Sequence, residues 1–177
     1  MRKGVRLALG LAAIEGALVA AAAVLLPGPL PADGETGFLP TLFQASQHLA
    51  VVRVVAANST FPLAVTISHA SAIVLGVVTA LGLAVTIPQD IAHKQAAALS
   101  SIPGKGIFFV GLLCILGVPL FFEIPLGESQ LSTPLIELVG LNRAALLLWV
   151  VAMYVTYFIS TLWCAFFVRA TLTGTLK

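Results

Sequence analysis

The stretch PLAVTISHASAIVLGVVTALGLAVTIP, residues 62–88, decides the fold. It contains no acidic, lysine or arginine side chain, and proline stands at both of its ends. At about 1.5 Å per residue, a helix of this length crosses the hydrocarbon core of a bilayer, which is roughly 30 Å thick. Pro62 is suited to the first turn of a helix, whereas Pro88 stops one. The stretch therefore predicts a transmembrane helix.

The rest of the chain has the same apolar character. Of its 177 residues, 59% are hydrophobic and only 9% are charged. A soluble domain carries about 25% charged residues, so this chain cannot cover a water-facing surface and we expect lipid around it. The formal net charge is only +2, and no basic run is interleaved with aromatic residues, which argues against nucleic-acid binding.

Four apolar runs predict four spans, at about residues 5–26, 61–87, 107–124 and 141–170. The first run follows a basic start, as a secretory signal does, but at about 22 residues it is longer than the apolar region of a signal. Residues 41–57 mix apolar and polar side chains, and they predict a helix at the membrane interface or an early start of the second helix. The predicted fold is one all-α domain over residues 1–177, a four-helix transmembrane bundle with an extra interfacial helical segment.

The basic residues predict the orientation. With four spans, the N-terminus, the loop 89–106 and the C-terminus lie on one side of the membrane. That side has seven basic residues and the other side two: Arg2, Lys3, Arg6, Lys94, Lys105, Arg169 and Lys177, against Arg53 and Arg143. Because basic residues concentrate on the cytoplasmic side, we expect both termini in the cytoplasm and the protein in a prokaryotic cell membrane.

Two spans carry small residues at strict four-residue spacing. Such stripes leave a shallow groove in which another helix backbone can approach closely. The stripe of the second span consists of Ala64, Ser68, Ala72, Gly76, Ala80 and Ala84, and that of the first span of Gly4, Ala8, Ala12, Gly16 and Ala20. Both stripes predict helix-packing faces.

Glu15 and His69 are the polar residues predicted to lie deepest in the membrane. A carboxylate at mid-depth is unfavourable by about 2.5 kcal/mol or more, so Glu15 should face a partner or hold a proton. Counted from the starts of their spans, Glu15 and His69 reach similar depths, and both border the small-residue stripes. We therefore predict a hydrogen-bonded Glu15–His69 pair. Tyr154, Thr156 and Tyr157 of the fourth span reach a similar depth.

This polar centre has three interpretations. His69 could ligate haem b, with His48 as the second axial ligand if residues 41–57 fold back. His69 and Glu15 could instead hold a quinone or a lipid headgroup. The third interpretation is a structural hydrogen bond that fixes helix packing. The sequence requires no cofactor, and it contains no HExxH motif, no nucleophile elbow and no glycine-rich phosphate loop.

For function, the sequence favours an accessory or scaffolding subunit of a larger membrane complex, with a respiratory complex as the expected host. Its other transmembrane subunits would bind through the small-residue faces, and the chain would have no catalytic activity of its own. The alternative is a small haem- or quinone-binding redox protein centred on His69 and Glu15. A small transporter, for which Glu15 and Pro119 are the supporting residues, is the third interpretation.

The orientation is testable by cysteine labelling after Cys114 and Cys164 are replaced by alanine. A membrane-impermeant thiol reagent should label Lys94→Cys only from the cytoplasmic side and Glu128→Cys only from outside. The seven-to-two distribution of basic residues is the reason for this expectation. The reverse labelling pattern would show that the orientation is wrong.

Overall fold

A computed structural model describes residues 3–26, 37–46, 55–87, 108–113 and 138–172, and the single positions 91, 94, 98, 104 and 106. Within these residues all regular structure is helical and there is no strand. Four helices have defined bounds: α1 Lys3–Leu25, α2 Phe38–Ser46, α3 Pro62–Thr86 and α4 Arg143–Leu172.

Two helices are long and apolar enough to cross a membrane. They are Pro62–Thr86 and Arg143–Arg169, and the apolar part of α1, Leu9–Leu25, is shorter. By length and composition alone, such helices also occur in the cores of soluble proteins. Of the predicted third span, residues 108–113 are helical, and residues 114–124 lie outside the described part of the chain.

The two prolines that flank α3 determine its ends. Pro62 is the first helical residue. A backbone N–H at this position would have no intrahelical acceptor, so proline, which lacks that N–H, costs the helix no hydrogen bond. Ile87 is extended, with ψ 128°, because the residue before Pro88 is sterically excluded from the helical region. The interfacial segment predicted over residues 41–57 differs in its bounds. Helix α2 already begins at Phe38, residues 55–57 are helical, and residues 47–54, with His48, lie outside the described residues.

Helices α3 and α4 are parallel to each other, and α1 is antiparallel to both. The start of α4 lies at the C-terminal end of α1, where Arg143 reaches the Leu26 carbonyl. The end of α4 lies beside the end of α3, where Arg169 reaches the Ile87 carbonyl. The start of α1 and the ends of α3 and α4 are therefore at one end of the bundle.

The small-residue stripe of α3 packs against α4. All six of its members are buried. At Gly76, an added Cβ would stand 3.0 Å from the Tyr154 carbonyl oxygen and 3.1 Å from Tyr157 Cβ, so only a glycine allows the two backbones to come this close. The groove predicted on α3 is thus occupied by the chain's own fourth helix.

The stripe of α1 is less enclosed. Ala12, Gly16 and Ala20 are half-buried, and the structure describes the backbone of Gly4 and Ala8 but not their burial. The Tyr154 ring lies against this stripe, since an added Cβ at Gly16 would be 3.5 Å from Tyr154 Cε1. Among the residues of α1 whose burial is described, Val19 and Ala23 are the fully buried ones, so the most buried face there is rotated away from the predicted stripe.

Each end of α4 carries an arginine that caps another helix. Arg143 Nη1 donates to the carbonyls of Ala23, Val24 and Leu26 at 3.2, 2.8 and 2.9 Å, at the end of α1. Arg169 Nη1 donates to the carbonyls of Ala84 and Ile87 at 3.0 and 3.1 Å, at the end of α3. Carbonyls in the last turn of a helix lack intrahelical partners and carry partial negative charge, so a guanidinium there is favourable.

The packing of α3 on α4 is testable with a matched pair of glycine substitutions. Gly76→Leu should destabilise the protein by about 1–3 kcal/mol or more, because the side chain would overlap the α4 backbone. Gly82→Leu should change stability by less than about 0.5 kcal/mol, because an added Cβ there has no atom within 4 Å. Equilibrium unfolding in mixed micelles measures both. Equal effects of the two substitutions would contradict the close approach at Gly76.

Candidate functional site

Two polar centres lie between α1, α3 and α4, and the first surrounds His69. This side chain is fully buried. Its Nδ1 lies 2.9 Å from the Val65 carbonyl oxygen, and because a carbonyl can only accept, Nδ1 carries the hydrogen. On the other side of the ring, Nε2 accepts the indole N–H of Trp149 at 2.5 Å. His69 is therefore a neutral imidazole with both ring nitrogens in hydrogen bonds.

The two hydrogen bonds of His69 leave no free ring nitrogen for a haem iron. An axial ligand offers the lone pair of a neutral ring nitrogen, and the only such lone pair of His69 points at the Trp149 N–H. Haem ligation would require that bond to break inside a packed core. The second histidine of that interpretation, His48, lies outside the described residues. Among the residues that the structure describes, no group of three or more His, Cys, Asp or Glu side chains could hold a metal ion.

The second polar centre surrounds Glu15, which is half-buried near the middle of α1. The Thr79 hydroxyl of α3 donates to Glu15 Oε2. The Tyr154 hydroxyl of α4 lies 3.4 Å from the same oxygen and 3.0 Å from the Ala12 carbonyl oxygen. One carboxyl, two hydroxyls and one backbone carbonyl from three helices thus meet at one point.

The predicted Glu15–His69 pair is wrong. Glu15 bonds to Thr79, which is ten residues beyond His69 and hence about 15 Å further along α3. Side chains of a helix lean toward its N-terminus. Because α1 and α3 are antiparallel, Glu15 leans toward the end of α3 while His69 leans toward its start. Two residues at equal backbone depth therefore diverge, whereas Glu15 and Thr79 converge.

Sequence reasoning missed Trp149 and Thr79. A signal for Trp149 existed, because the second and fourth of four spans must be parallel. His69 is seven residues from Pro62 and Trp149 is six residues from Arg143, the first residues of their helices. Residues at equal distance from the starts of parallel helices lie at equal depth, and an indole N–H needs an acceptor there. Thr79 could be identified as the partner of Glu15 only from the direction in which the side chains of two antiparallel helices lean.

Two further hydroxyls of α4 are buried one turn apart. Tyr157 Oη and Thr161 Oγ1 have no hydrogen-bond partner within the described part of the chain. Tyr157 lies where α4 approaches Gly76, since its Cβ would be 3.1 Å from a Cβ added there. These hydroxyls do not belong to either polar centre.

Comparison with known proteins gives no relative. No protein-family model matches the chain, and neither the curated proteins nor the solved structures contain a match to it. The function therefore has to follow from the residues and their contacts.

Two double-mutant cycles distinguish the observed partners from the predicted pair. The first cycle combines His69→Leu with Trp149→Phe. Each single substitution leaves the other partner of the hydrogen bond unsatisfied, so the two substitutions should show a coupling free energy of about 0.5–3 kcal/mol. In Glu15→Leu and His69→Leu, the effects should add to within about 0.3–0.5 kcal/mol, since the side chains do not touch. Unfolding free energies of the single and double variants give both couplings.

Trp163→Phe is the matched control for the loss of an indole. Trp163 contacts Phe108 edge-on and lies more than three turns from Trp149 on α4. It should show no coupling to His69→Leu. Strong coupling between Glu15 and His69 would restore the pair that the sequence predicts.

Proposed function

We propose that the chain is a small polytopic protein of the prokaryotic cell membrane that acts as an accessory or scaffolding subunit of a larger membrane complex. Both termini lie in the cytoplasm, and the fold is a four-helix transmembrane bundle. The observation that carries the scaffolding role is that both ring nitrogens of His69 are satisfied within the chain. The buried His69 thus holds α3 to α4 and has no lone pair left for a cofactor.

The outward faces of the helices support the membrane placement. Large apolar side chains are exposed along all three long helices, including Leu11, Ile14 and Leu18 on α1, Val74, Val78 and Val85 on α3, and Leu148, Val155 and Ile159 on α4. Between Arg143 and Arg169, α4 has no charged residue over about 37 Å, which is longer than the hydrocarbon core of a bilayer.

The helix directions support four spans. Because α3 and α4 are parallel, Ile87 and Leu138 lie at opposite ends of the pair. A connection between them that crosses the bilayer once more is consistent with the predicted span 107–124. Phe109 at the start of that span stacks on Phe167 near the end of α4, with ring centroids 4.3 Å apart, at the end where α3 also ends.

The basic residues are consistent with both termini in the cytoplasm. Arg6 near the start of α1 and Arg169 near the end of α4 lie at the same end of the bundle, because α1 is antiparallel to α4. The cytoplasmic side of a membrane protein is the side rich in such residues.

The surface for a partner helix is the outward face of α1 in this proposal. The α3 stripe is filled by α4, so it cannot serve another subunit. On α1, Gly10, Ala13 and Ala17 are exposed, and an added Cβ at Gly10 has no atom within 4 Å. Small residues at this spacing allow close approach of a further helix. A respiratory complex remains the proposed host, on the general ground that such complexes contain many small apolar subunits.

Photocross-linking in cells tests this surface. A photoreactive amino acid at Ala13 should give one specific cross-link to another membrane subunit, and the same amino acid at the exposed Ala152 of α4 should not. Ala17→Leu should abolish co-purification of that subunit without changing thermal stability, because Ala17 is exposed. Cross-links at both positions or at neither would contradict a partner on α1.

An absorption spectrum of the purified protein tests the redox alternative. We expect no Soret band, because Nε2 of His69 is engaged by Trp149. A Soret band that disappears in His69→Leu would overturn the scaffolding role and establish haem binding.

A further inference from the structure

The hydrogen bonds around Glu15 suit both the charged and the neutral form of its carboxyl group. In the charged form, the Thr79 hydroxyl and the Tyr154 hydroxyl both donate to Oε2. Hydrogen bonds to a charged acceptor are stronger than neutral ones, so two donors at one oxygen stabilise a carboxylate away from water.

In the neutral form the same groups make a different set of bonds. The carboxylic O–H can donate to the Tyr154 oxygen, and the Tyr154 hydroxyl can donate to the Ala12 carbonyl, which already lies 3.0 Å away. A backbone carbonyl has a second lone pair beyond its intrahelical bond, so Ala12 can accept this donor. A rotation of one hydroxyl exchanges the two sets, and no helix has to move.

Glu15 also lies within reach of the outer surface of the bundle. It is half-buried, and the residues one turn before and one turn after it on α1, Leu11 and Leu18, are exposed. His69 is different, because it is fully buried and both of its nitrogens are engaged. A lipid-soluble reagent can therefore reach Glu15 from outside the packed core.

We propose that Glu15 is a reversible proton-binding site at mid-membrane depth, with Thr79 and Tyr154 as the groups that stabilise its two forms. The site requires α1 to lie in the bilayer, so it rests on that part of the proposed function. It does not depend on the accessory role.

Few other titratable groups face Glu15 from the described helices. From α4 only Tyr154 does. On α3, the side chain that meets Glu15 is Thr79, which does not titrate, and His69 is about 15 Å further along the helix. On α1, Arg6 is nine residues away and thus about 13 Å along the axis.

Labelling with dicyclohexylcarbodiimide in proteoliposomes tests the proposal. The neutral carboxylic acid of Glu15 adds across one C=N bond of the carbodiimide, so that its proton passes to nitrogen and its oxygen bonds to the central carbon. The acyl group then migrates from that oxygen to a nitrogen of the reagent, and the product is a stable N-acylurea. No further reactant is needed. Peptide mass spectrometry should find Glu15 modified, with a yield that falls as the pH rises. A water-soluble carbodiimide should modify the loop carboxyls and leave Glu15 unmodified.

Three variants sharpen this test. Glu15→Gln should lose the modification. Thr79→Val removes a donor to the charged form, so the extent of Glu15 labelling at a fixed pH should rise, by up to about tenfold. Thr86→Val, which changes a hydroxyl bonded to its own helix, should leave the labelling unchanged.

The outcomes that overturn the proposal are distinct from failure of the membrane placement. Absence of Glu15 labelling at every pH, or labelling that does not vary with pH, would show that the carboxyl does not exchange a proton. Protection by Na⁺ at constant pH would show that the site binds a metal cation instead. If a membrane-impermeant thiol reagent labels Arg6→Cys and Asp33→Cys, which flank α1 in the sequence, from the same side of the membrane, then α1 is not a span and the placement fails first.

Discussion

The α3 and α4 backbones meet at Gly76, and the other contacts of the bundle depend on this close approach. The two helices keep one register along the pair. Gly140 pairs with Ser59 and Thr60 at separations of 81 and 80 residues, and Trp149 pairs with His69 at 80. A larger residue at Gly76 would push the two helices apart, because an added Cβ would stand 3.0 Å from the Tyr154 carbonyl oxygen. In lipid, where no hydrophobic force draws helices together, such close packing is a main source of association, so the register follows from small residues on α3.

The sequence was informative wherever a local steric rule applied. The two prolines predict where α3 begins and ends, and the structure places its ends within one residue of that prediction. The four-residue spacing of small residues picked out six positions on α3 that are all buried. On α1 the same rule was less useful. Val19 and Ala23 are the residues enclosed there, because the side chains of α4 that meet α1, Tyr154 above all, are large and need no close backbone approach.

The polar contacts were harder to predict because they depend on direction as well as depth. Counting residues from the start of each span places Glu15 and His69 at one level, but antiparallel helices turn their side chains apart. Parallel helices turn them the same way, which is why His69 meets Trp149. The arginines show the same limit. In the sequence, Arg143 was used only as one of the basic residues that predict the orientation in the membrane. In the structure its guanidinium joins the end of α1 to the start of α4 and lies 5.0 Å from the centre of the Phe61 ring.

The two polar centres differ in what they can do, although both lie deep between apolar helices. His69 has one acceptor and one donor, each matched by a group that cannot reverse its role, since a carbonyl only accepts and an indole N–H only donates. Its protonation state is therefore fixed by its neighbours. Glu15 is matched by hydroxyls, which both donate and accept. Neighbours of that kind permit a change of protonation without a change of packing, so a rigid scaffold and an exchangeable proton are compatible in one bundle.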